Sequence, residues 1–216
     1  MIKNNRNFVS LLSTGLDSPI ATYIFLKRGF NCNAISFINS RKENQMNREK
    51  IIKTANRLKK LTQNEISIHL IYFEKVLNYF RKNCKDKIRC LLCKRTMINF
   101  AQDLAQKSNS ECIIMGDILG EQASQTIDNL LVVNKKSRYI PIIRPLIGFN
   151  KLDIIKMSQD LGFYEISLMK EQSCNFNPKY PETRAKVKEI LAEESKLEKE
   201  KVFRIMQKNC EILKID

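Results

Sequence analysis

The stretch Asn7-Phe8-Val9-Ser10-Leu11-Leu12-Ser13-Thr14-Gly15-Leu16-Asp17-Ser18-Pro19 decides how this chain is read. Asn7 to Leu12 is a short apolar run, the pattern of a strand buried on both faces. Ser13 to Ser18 is a turn of small and hydroxyl-bearing residues, and Pro19 suits the first turn of a helix continuing from Ile20 to Lys27. A strand that stops in small residues and restarts as a helix lets backbone amides approach an anion closely. The hydroxyls and the helix N-terminus add to the attraction. The spacing is not that of the phosphate loop ending in Gly-Lys-Ser/Thr.

Outward from this loop the alternation repeats. Further strands are expected at 31–38, 66–72, 111–115 and 139–143, with helices at 45–61, 74–83, 92–107, 122–131 and 152–161. The cysteine segment falls between the helices at 74–83 and 92–107. Pro141 places the fifth strand at a sheet edge. The fold class is α/β: a parallel sheet sandwiched by helices, because strand–helix alternation leaves two faces to cover. Residues 1–181 are expected to form this domain, and residues 182–216 a C-terminal helical appendage packed on it. Val187, Ile190, Leu191, Leu197, Val202 and Met206 are the expected apolar anchors of that appendage.

Of 216 residues, 38 are Lys or Arg and 23 Asp or Glu, a net charge of +15, with one His and seven Cys. No run approaches the ~20 apolar residues of a membrane span, and the N-terminus leads into no signal-peptide pattern, so no membrane partner and a cytoplasmic location are expected. An odd cysteine count in a chain of this length disfavours a disulfide scaffold. The charge is clustered: eight basic and two acidic residues lie between Arg41 and Lys60, and seven basic residues accompany Asp86 alone between Arg81 and Arg95. Such clusters attract polyanions, so nucleic acid is a natural partner, with Arg48, Lys50 and Lys53 as an expected nucleic-acid-facing group.

Cys90-Leu91-Leu92-Cys93 has metal-ligand spacing; the pair alone cannot complete a four-ligand zinc site, although Cys84 or Cys174 could join it. A redox dithiol is the other reading of the pair, although the basic α/β context is not that of a thioredoxin. Cys174 sits in a polar loop bounded by prolines, an unusual place for a merely buried thiol. One pair plus one distant cysteine suggests a three-thiolate site. Cys32 and Cys112 fall in expected strands and read as core residues. Cys84 and Cys210 receive no role, and His69, in an apolar strand, reads as structural.

The hexapeptide Ser13 to Ser18 resembles the PP-loop, SGGxDS, of the ATP pyrophosphatases, with Thr14 standing where the first glycine is usual. Those enzymes cleave ATP between the α and β phosphates to adenylate a substrate. Further blocks extend the likeness: Cys93-Lys94-Arg95-Thr96-Met97, Met115-Gly116-Asp117-Ile118-Leu119-Gly120-Glu121-Gln122-Ala123-Ser124-Gln125-Thr126 and Arg144-Pro145-Leu146-Ile147-Gly148-Phe149-Asn150-Lys151. Cys174 ahead of Pro178-Lys179-Tyr180-Pro181 completes them. Over nearly its whole length the chain resembles the PP-loop catalytic domain of the tRNA 4-thiouridine synthetase (ThiI) family. The Cys-x-x-Cys pair is similar to that of the archaeal-type branch, in which this pair and a later cysteine hold an iron–sulfur cluster. The family carries an RNA-binding THUMP region and a ferredoxin-like region ahead of the PP-loop, and in some members a rhodanese-like extension; the expectation here is the catalytic domain without them.

The resemblance implies that a uridine carbonyl oxygen attacks the α-phosphate of ATP and that sulfur then displaces AMP. It implies Ser13, Gly15, Asp17 and Ser18 as the phosphate loop, Asp17 organising Mg²⁺, and Lys151 assisting activation. It maps nucleotide contacts onto Leu11, Leu12, Ser36, Phe37, Lys94, Gly116 and Gln125, several through backbone atoms. It makes Cys90, Cys93 and Cys174 the ligands of a cluster, 4Fe–4S in type, whose open iron presents hydrosulfide. A competing reading makes Cys174 a persulfide carrier. Arg144 is left outside the chemistry. The implied partners are RNA, tRNA in particular, a sulfide or sulfur-donor protein, and a separate RNA-binding subunit. The alternatives are a PP-loop enzyme thiolating or amidating a small-molecule carbonyl, and a non-catalytic nucleotide-binding subunit with a structural zinc.

Overall fold

The computed structural model describes residues 6–39, 45–137, 139–170 and 174–215. Arg41 and Lys42 of the first basic cluster, and Ser173 ahead of Cys174, lie outside the described residues. The described strands are β1 (Asn7–Leu11), β2 (Asn31–Ile38), β3 (Ile66–Tyr72), β4 (Ser110–Ile114), β5 (Ile142–Ile143) and β6 (Cys210–Ile215). They form one sheet in the order β5-β4-β1-β2-β3-β6. All neighbours are parallel except β6, which runs antiparallel to β3.

The α-helices are α1 (Asp17–Leu26), α2 (Gln45–Thr62), α3 (Glu74–Asn83), α4 (Arg89–Lys107), α5 (Ile127–Asn134), α6 (Lys151–Asp160), α7 (Tyr164–Leu168), α8 (Val187–Glu194) and α9 (Lys199–Lys208). Successive side chains of a strand point to opposite faces, and β1 shows the consequence. Phe8 joins Phe25, Ile20, Leu58 and Ile154 in the core on one face, beneath α1, α2 and α6. Val9 joins Phe80, Ile98, Val132, Ile190 and Met206 on the other, beneath α3, α4, α5, α8 and α9. Each such fully buried apolar side chain stabilises the fold by about 1.5–3 kcal/mol. The parallel sheet sandwiched by helices is therefore the observed architecture.

The details depart from expectation in five places. Cys90 and Cys93 do not lie between helices: α4 begins at Arg89, so both sit in its first turn or just beyond. The helix expected at 122–131 starts later, after a 3₁₀ turn at Ala123–Gln125, where the Thr126 hydroxyl caps α5 by accepting from Asn129 N–H. The strand expected at 139–143 shrinks to Ile142–Ile143 at the sheet edge, as Pro141 requires. After Asn209 the chain is a strand, β6, whose six register pairs with β3 cover the edge that β3 would expose. The helix expected over 182–209 is two helices, 187–194 and 199–208, separated by a turn at 195–198 and preceded by non-helical chain at 182–186; Leu191 is 48% exposed and anchors nothing, whereas Ile190 and Met206 are fully buried.

The basic helix α2 also differs from its reading as a nucleic-acid-facing group. Lys50 is buried and donates to the carbonyl oxygen of Ser167 at 2.6 Å, closing the end of α7. Arg48 pairs with Glu211 of β6 at 2.6 Å, and Arg57 donates to the carbonyl of Leu161 at 2.7 Å. Of the expected trio only Lys53 remains exposed.

Candidate active site

Parallel β1, β2 and β4 end on one rim of the sheet. From β1 the chain builds outward to β2 and β3 on one side, while β4 and β5 fill the other. The crevice between the carboxyl ends of β1 and β4 is thus the topological switch point, where open α/β sheets bind ligands. Ser13–Ser18 leaves β1 there, and Gly116–Asp117 follows β4.

Hydroxyls hold the loop in shape. Ser13 N–H donates to Ser18 Oγ at 2.8 Å, the two hydroxyl oxygens lie 2.9 Å apart, and Gly15 N–H donates to Ser13 Oγ at 3.3 Å. At the end of β2, Ser36 Oγ donates to the carbonyl of Leu12 at 2.8 Å, and Leu12 N–H donates to Ile35 O at 2.9 Å. Leu12 therefore walls the crevice with its backbone already engaged. Leu11 and Phe37 are half-buried beside it, Phe37 against Phe73 at 5.1 Å between ring centroids. Gly116 presses on the start of α1: a Cβ there would lie 2.7 Å from both N and Cα of Ser18, a backbone approach only glycine permits.

Three carboxylates organise the cations. Lys151, the first residue of α6, reaches Asp17 Oδ1 at 2.9 Å and Oδ2 at 3.2 Å, and Glu121 Oε1 at 3.3 Å. Burial alone would lower the Lys151 pKa, but the hydrogen bond and charge of Asp17, followed by those of Glu121, raise it, so the ammonium is held charged. Asp117 is 5% exposed and accepts from Lys94 Nζ at 2.8 Å, Arg144 Nε at 2.8 Å and Gln125 Nε2 at 3.1 Å. Burial pushes its carboxyl up, yet Lys94 and Arg144 together hold it below the usual range. An ionised carboxylate only accepts, so the NH₂ end of Gln125 must face it, leaving Gln125 Oε1 buried without a partner.

Sequence reasoning placed Ser13, Gly15, Asp17, Ser18, Lys94, Gly116, Gln125 and Lys151 in the site, and all eight lie about this crevice. It gave no role to Asp117, Glu121 or Arg144. The signal was there: an acid directly after a buried strand, in a chain this basic, needs cationic partners.

The cysteines occupy the other end of α4's first turns. Arg89 donates from Nη1 to the carbonyl of Phe176 at 2.9 Å and pairs through Nη2 with Asp86 at 2.5 Å, tying the Cys174 loop to the start of α4. Arg81 stacks on the Phe176 ring at 5.4 Å. Burial pushes the Cys90 and Cys93 thiols up, and nearby thiols, Cys174 among them, add to it while Arg89 opposes it. The three sulfurs of the expected set are thus brought within electrostatic reach of one another. Among the described residues no three His, Cys, Asp or Glu side chains converge closely enough to hold a single metal ion. A cluster distributes its thiolates over different irons, and the all-thiol donor set beside the buried, unpartnered Arg89 Nε–H suits such an anionic group. Cys84 is raised to about 11 by burial, then by Glu193. Cys32 and Cys112 are core residues, as read. His69 in β3 has its pKa lowered by burial.

A hydroxyl-rich strand–loop–helix at the switch point of a mostly parallel sheet, with the glycine that follows the neighbouring strand pressed against it, is the framework of the PP-loop ATP pyrophosphatase fold. Residues 4–199 match the family described as thiamine biosynthesis protein (ThiI), and the chain belongs to that family. It is 36% identical over 207 residues to a probable tRNA sulfurtransferase of Coxiella burnetii, covering 95% of this chain and 52% of that protein. It is 34% identical over 193 residues to a probable tRNA sulfurtransferase of Thermoanaerobacter sp., covering 88% of this chain and 50% of that one. Among solved structures it is similar to a 4-thiouridine synthetase–RNA complex with bound ATP, with a TM-score of 0.90 at 27% identity, over 98% of this chain and 55% of that one. The chain spans about half the length of the curated relatives it matches. No helix among the described residues is long and apolar enough to cross a membrane.

Proposed function

We propose that this chain carries the catalytic centre of a cytoplasmic, ATP-dependent tRNA sulfurtransferase that converts a uridine to 4-thiouridine. The observation that carries the reading is one continuous line of contacts: Cys93 is followed by Lys94, Lys94 reaches Asp117, and Gly116 beside it presses on Ser18 of the phosphate loop. A group that receives sulfur and a group that binds phosphates thereby share one wall. The likeness to a 4-thiouridine synthetase bound to RNA and ATP, and to relatives named probable tRNA sulfurtransferases, supports the substrate class.

In the first step the uridine carbonyl oxygen attacks the α-phosphorus, the bond to the bridging oxygen breaks, and pyrophosphate leaves. Carbonyl oxygen is a poor leaving group, and adenylation makes it a good one. Ser13, Gly15 and Ser18 cradle the phosphates through amides and hydroxyls, and Lys151, held by Asp17 and Glu121, faces the negative charge that develops. Asp17, with Glu121 beside it, would supply hard oxygen donors to a Mg²⁺, which would neutralise phosphate charge. In the second step sulfide attacks the activated carbon, the carbon–oxygen bond breaks, and AMP departs with the former carbonyl oxygen. Cys90, Cys93 and Cys174 would hold a 4Fe–4S cluster, which would supply a soft site for binding sulfide. The sulfur source is sulfide or a sulfur-donor protein. Exposed Arg81, Lys82, Lys85 and Lys87 beside the Cys174 loop provide the basic surface for RNA, and a separate RNA-binding subunit would extend it.

The test is an anaerobic reaction of the protein with ATP, Mg²⁺, sulfide and transcript tRNA, scored by nucleoside mass spectrometry. The expected product is 4-thiouridine, with AMP and pyrophosphate; AMP without a thiolated nucleoside would overturn the RNA substrate. Brown, iron-containing protein is expected on anaerobic purification, and colourless protein holding one zinc would sink the cluster.

A further inference from the structure

Asp117 stands where three separate elements of the site meet. Lys94 belongs to α4, whose first turns carry Cys90 and Cys93. Gln125 ends the 3₁₀ turn before α5. Arg144 begins the loop that leads to Lys151 at the head of α6. One buried carboxylate accepts from all three at 2.8 to 3.1 Å, and its neighbour Gly116 touches the phosphate-loop backbone. Two cations held by one anion leave a single net positive charge. Without the anion, Lys94 and Arg144 would repel each other across a low-dielectric pocket. Asp117 is also too deeply placed to serve as an acid or base for a substrate: it is buried, its carboxyl is held ionised, and its acceptor sites face protein donors.

We propose that Asp117 is a positioning residue that couples the two half-reactions, keeping the cysteine-bearing helix in register with the phosphate loop so that each activated carbonyl is met by sulfur rather than by water. This inference rests on the sulfurtransferase reading above. The balance is simple. Adenylation consumes one ATP and yields pyrophosphate in either outcome. Attack by sulfide gives the thiocarbonyl and AMP, whereas attack by water restores the carbonyl and gives the same AMP. The ratio of AMP formed to 4-thiouridine formed therefore reports registration and does not depend on how much of the protein is folded.

The experiment measures that ratio for the full chain, reconstituted anaerobically and supplied with ATP, Mg²⁺, sulfide and transcript tRNA. Wild type is expected near one AMP per thiolated uridine. Asp117→Asn keeps the shape of the side chain while removing its charge, and the ratio is expected to rise about tenfold or more, since a misplacement of about 1 Å costs up to ~10²-fold in rate. Lys94→Met cuts the same bridge from the α4 side and should raise the ratio as well. The double variant should raise it no further than the larger single effect, because both remove one interaction. Equal losses of AMP and 4-thiouridine, leaving the ratio at the wild-type value, would overturn the inference, as would an additive double variant or an Asp117→Asn protein that forms no AMP. Should Asp117→Asn fail to fold, a Lys94→Met ratio at the wild-type value overturns it alone. A wild-type protein that makes AMP but no 4-thiouridine strikes the sulfurtransferase reading itself, a different result from an unchanged ratio in the variants.

Discussion

The crevice at the phosphate loop and the cysteine corner at the head of α4 are built by opposite means. In the crevice the functional groups hold one another: Ser13 with Ser18, Lys151 with Asp17 and Glu121, and Lys94, Arg144 and Gln125 with Asp117. At the cysteine corner the thiols do not bond to one another, and their surroundings hold them, through Arg89 to Asp86 and Phe176 and through the burial of Cys93. The first kind of site is preorganised for charge, which matters most where charge develops during reaction. The second is fixed in backbone but left with soft donors, the arrangement that suits a soft, polarisable sulfur species.

The comparison breaks most sharply at Cys174. Replacing it with serine should abolish 4-thiouridine formation while ATP binding, followed by calorimetry, stays at the wild-type value; lost ATP binding would show that the two regions are not separable. Gly116→Ala should do the reverse. Its Cβ would meet backbone atoms of Ser18 at 2.7 Å and Asp17 C at 2.9 Å, so the loop must shift. Overpacking of this kind costs about 1–3 kcal/mol, enough to weaken ATP binding by about tenfold while sulfide-dependent properties of the cysteine corner persist. The smallest effect is expected from acid. Glu194, on α8, holds α4 from behind by accepting from Arg95 at 2.8 Å and Lys136 at 3.1 Å. Burial raises the Glu194 pKa, but the Arg95 hydrogen bond and the Lys136 and Arg95 charges outweigh it and leave it below 4.5. Its stabilising contribution is therefore complete above that ordinary value and is lost as pH falls through the depressed one. Thermal unfolding followed from neutral pH to about pH 3 should show this loss, and Glu194→Gln should flatten that part of the profile.

Much of the crevice was legible because its signals are local. The strand Asn7–Leu11, the small-residue turn and Pro19 lie in one stretch, and the strands Asn31–Ile38 and Ile66–Tyr72 announce themselves by apolar runs bounded by polar turns. What the sequence hid is tertiary. Nothing in Arg89-Cys90-Leu91-Leu92-Cys93 caps a helix; α4 starts there because Arg89 is tied to Asp86 and to Phe176, a partner 87 residues away. Strand β6 reads locally as a few mixed residues after a helix, and only its ladder with β3 makes it a strand. The basic face of α2 looked like a polyanion surface because charge carries no information about burial, and Lys50 spends its charge on the carbonyls of Ser167 and Met169. The Asp117 hub needed three donors from separate elements, and no spacing rule assembles those.

Strand order has a consequence for how the molecule comes into being. Central β1 is flanked by β2, a near neighbour in sequence, and by β4, about a hundred residues further on. Parallel pairing across such separations pays loop-closure entropy before it gains contacts, so the sheet should assemble slowly. The phosphate loop issues from β1, and the glycine that braces it issues from β4, so the loop acquires its final shape only when that late pairing closes. ATP binding is then a clock on the last stage of refolding: in a stopped-flow experiment, nucleotide binding competence should lag the return of helical signal.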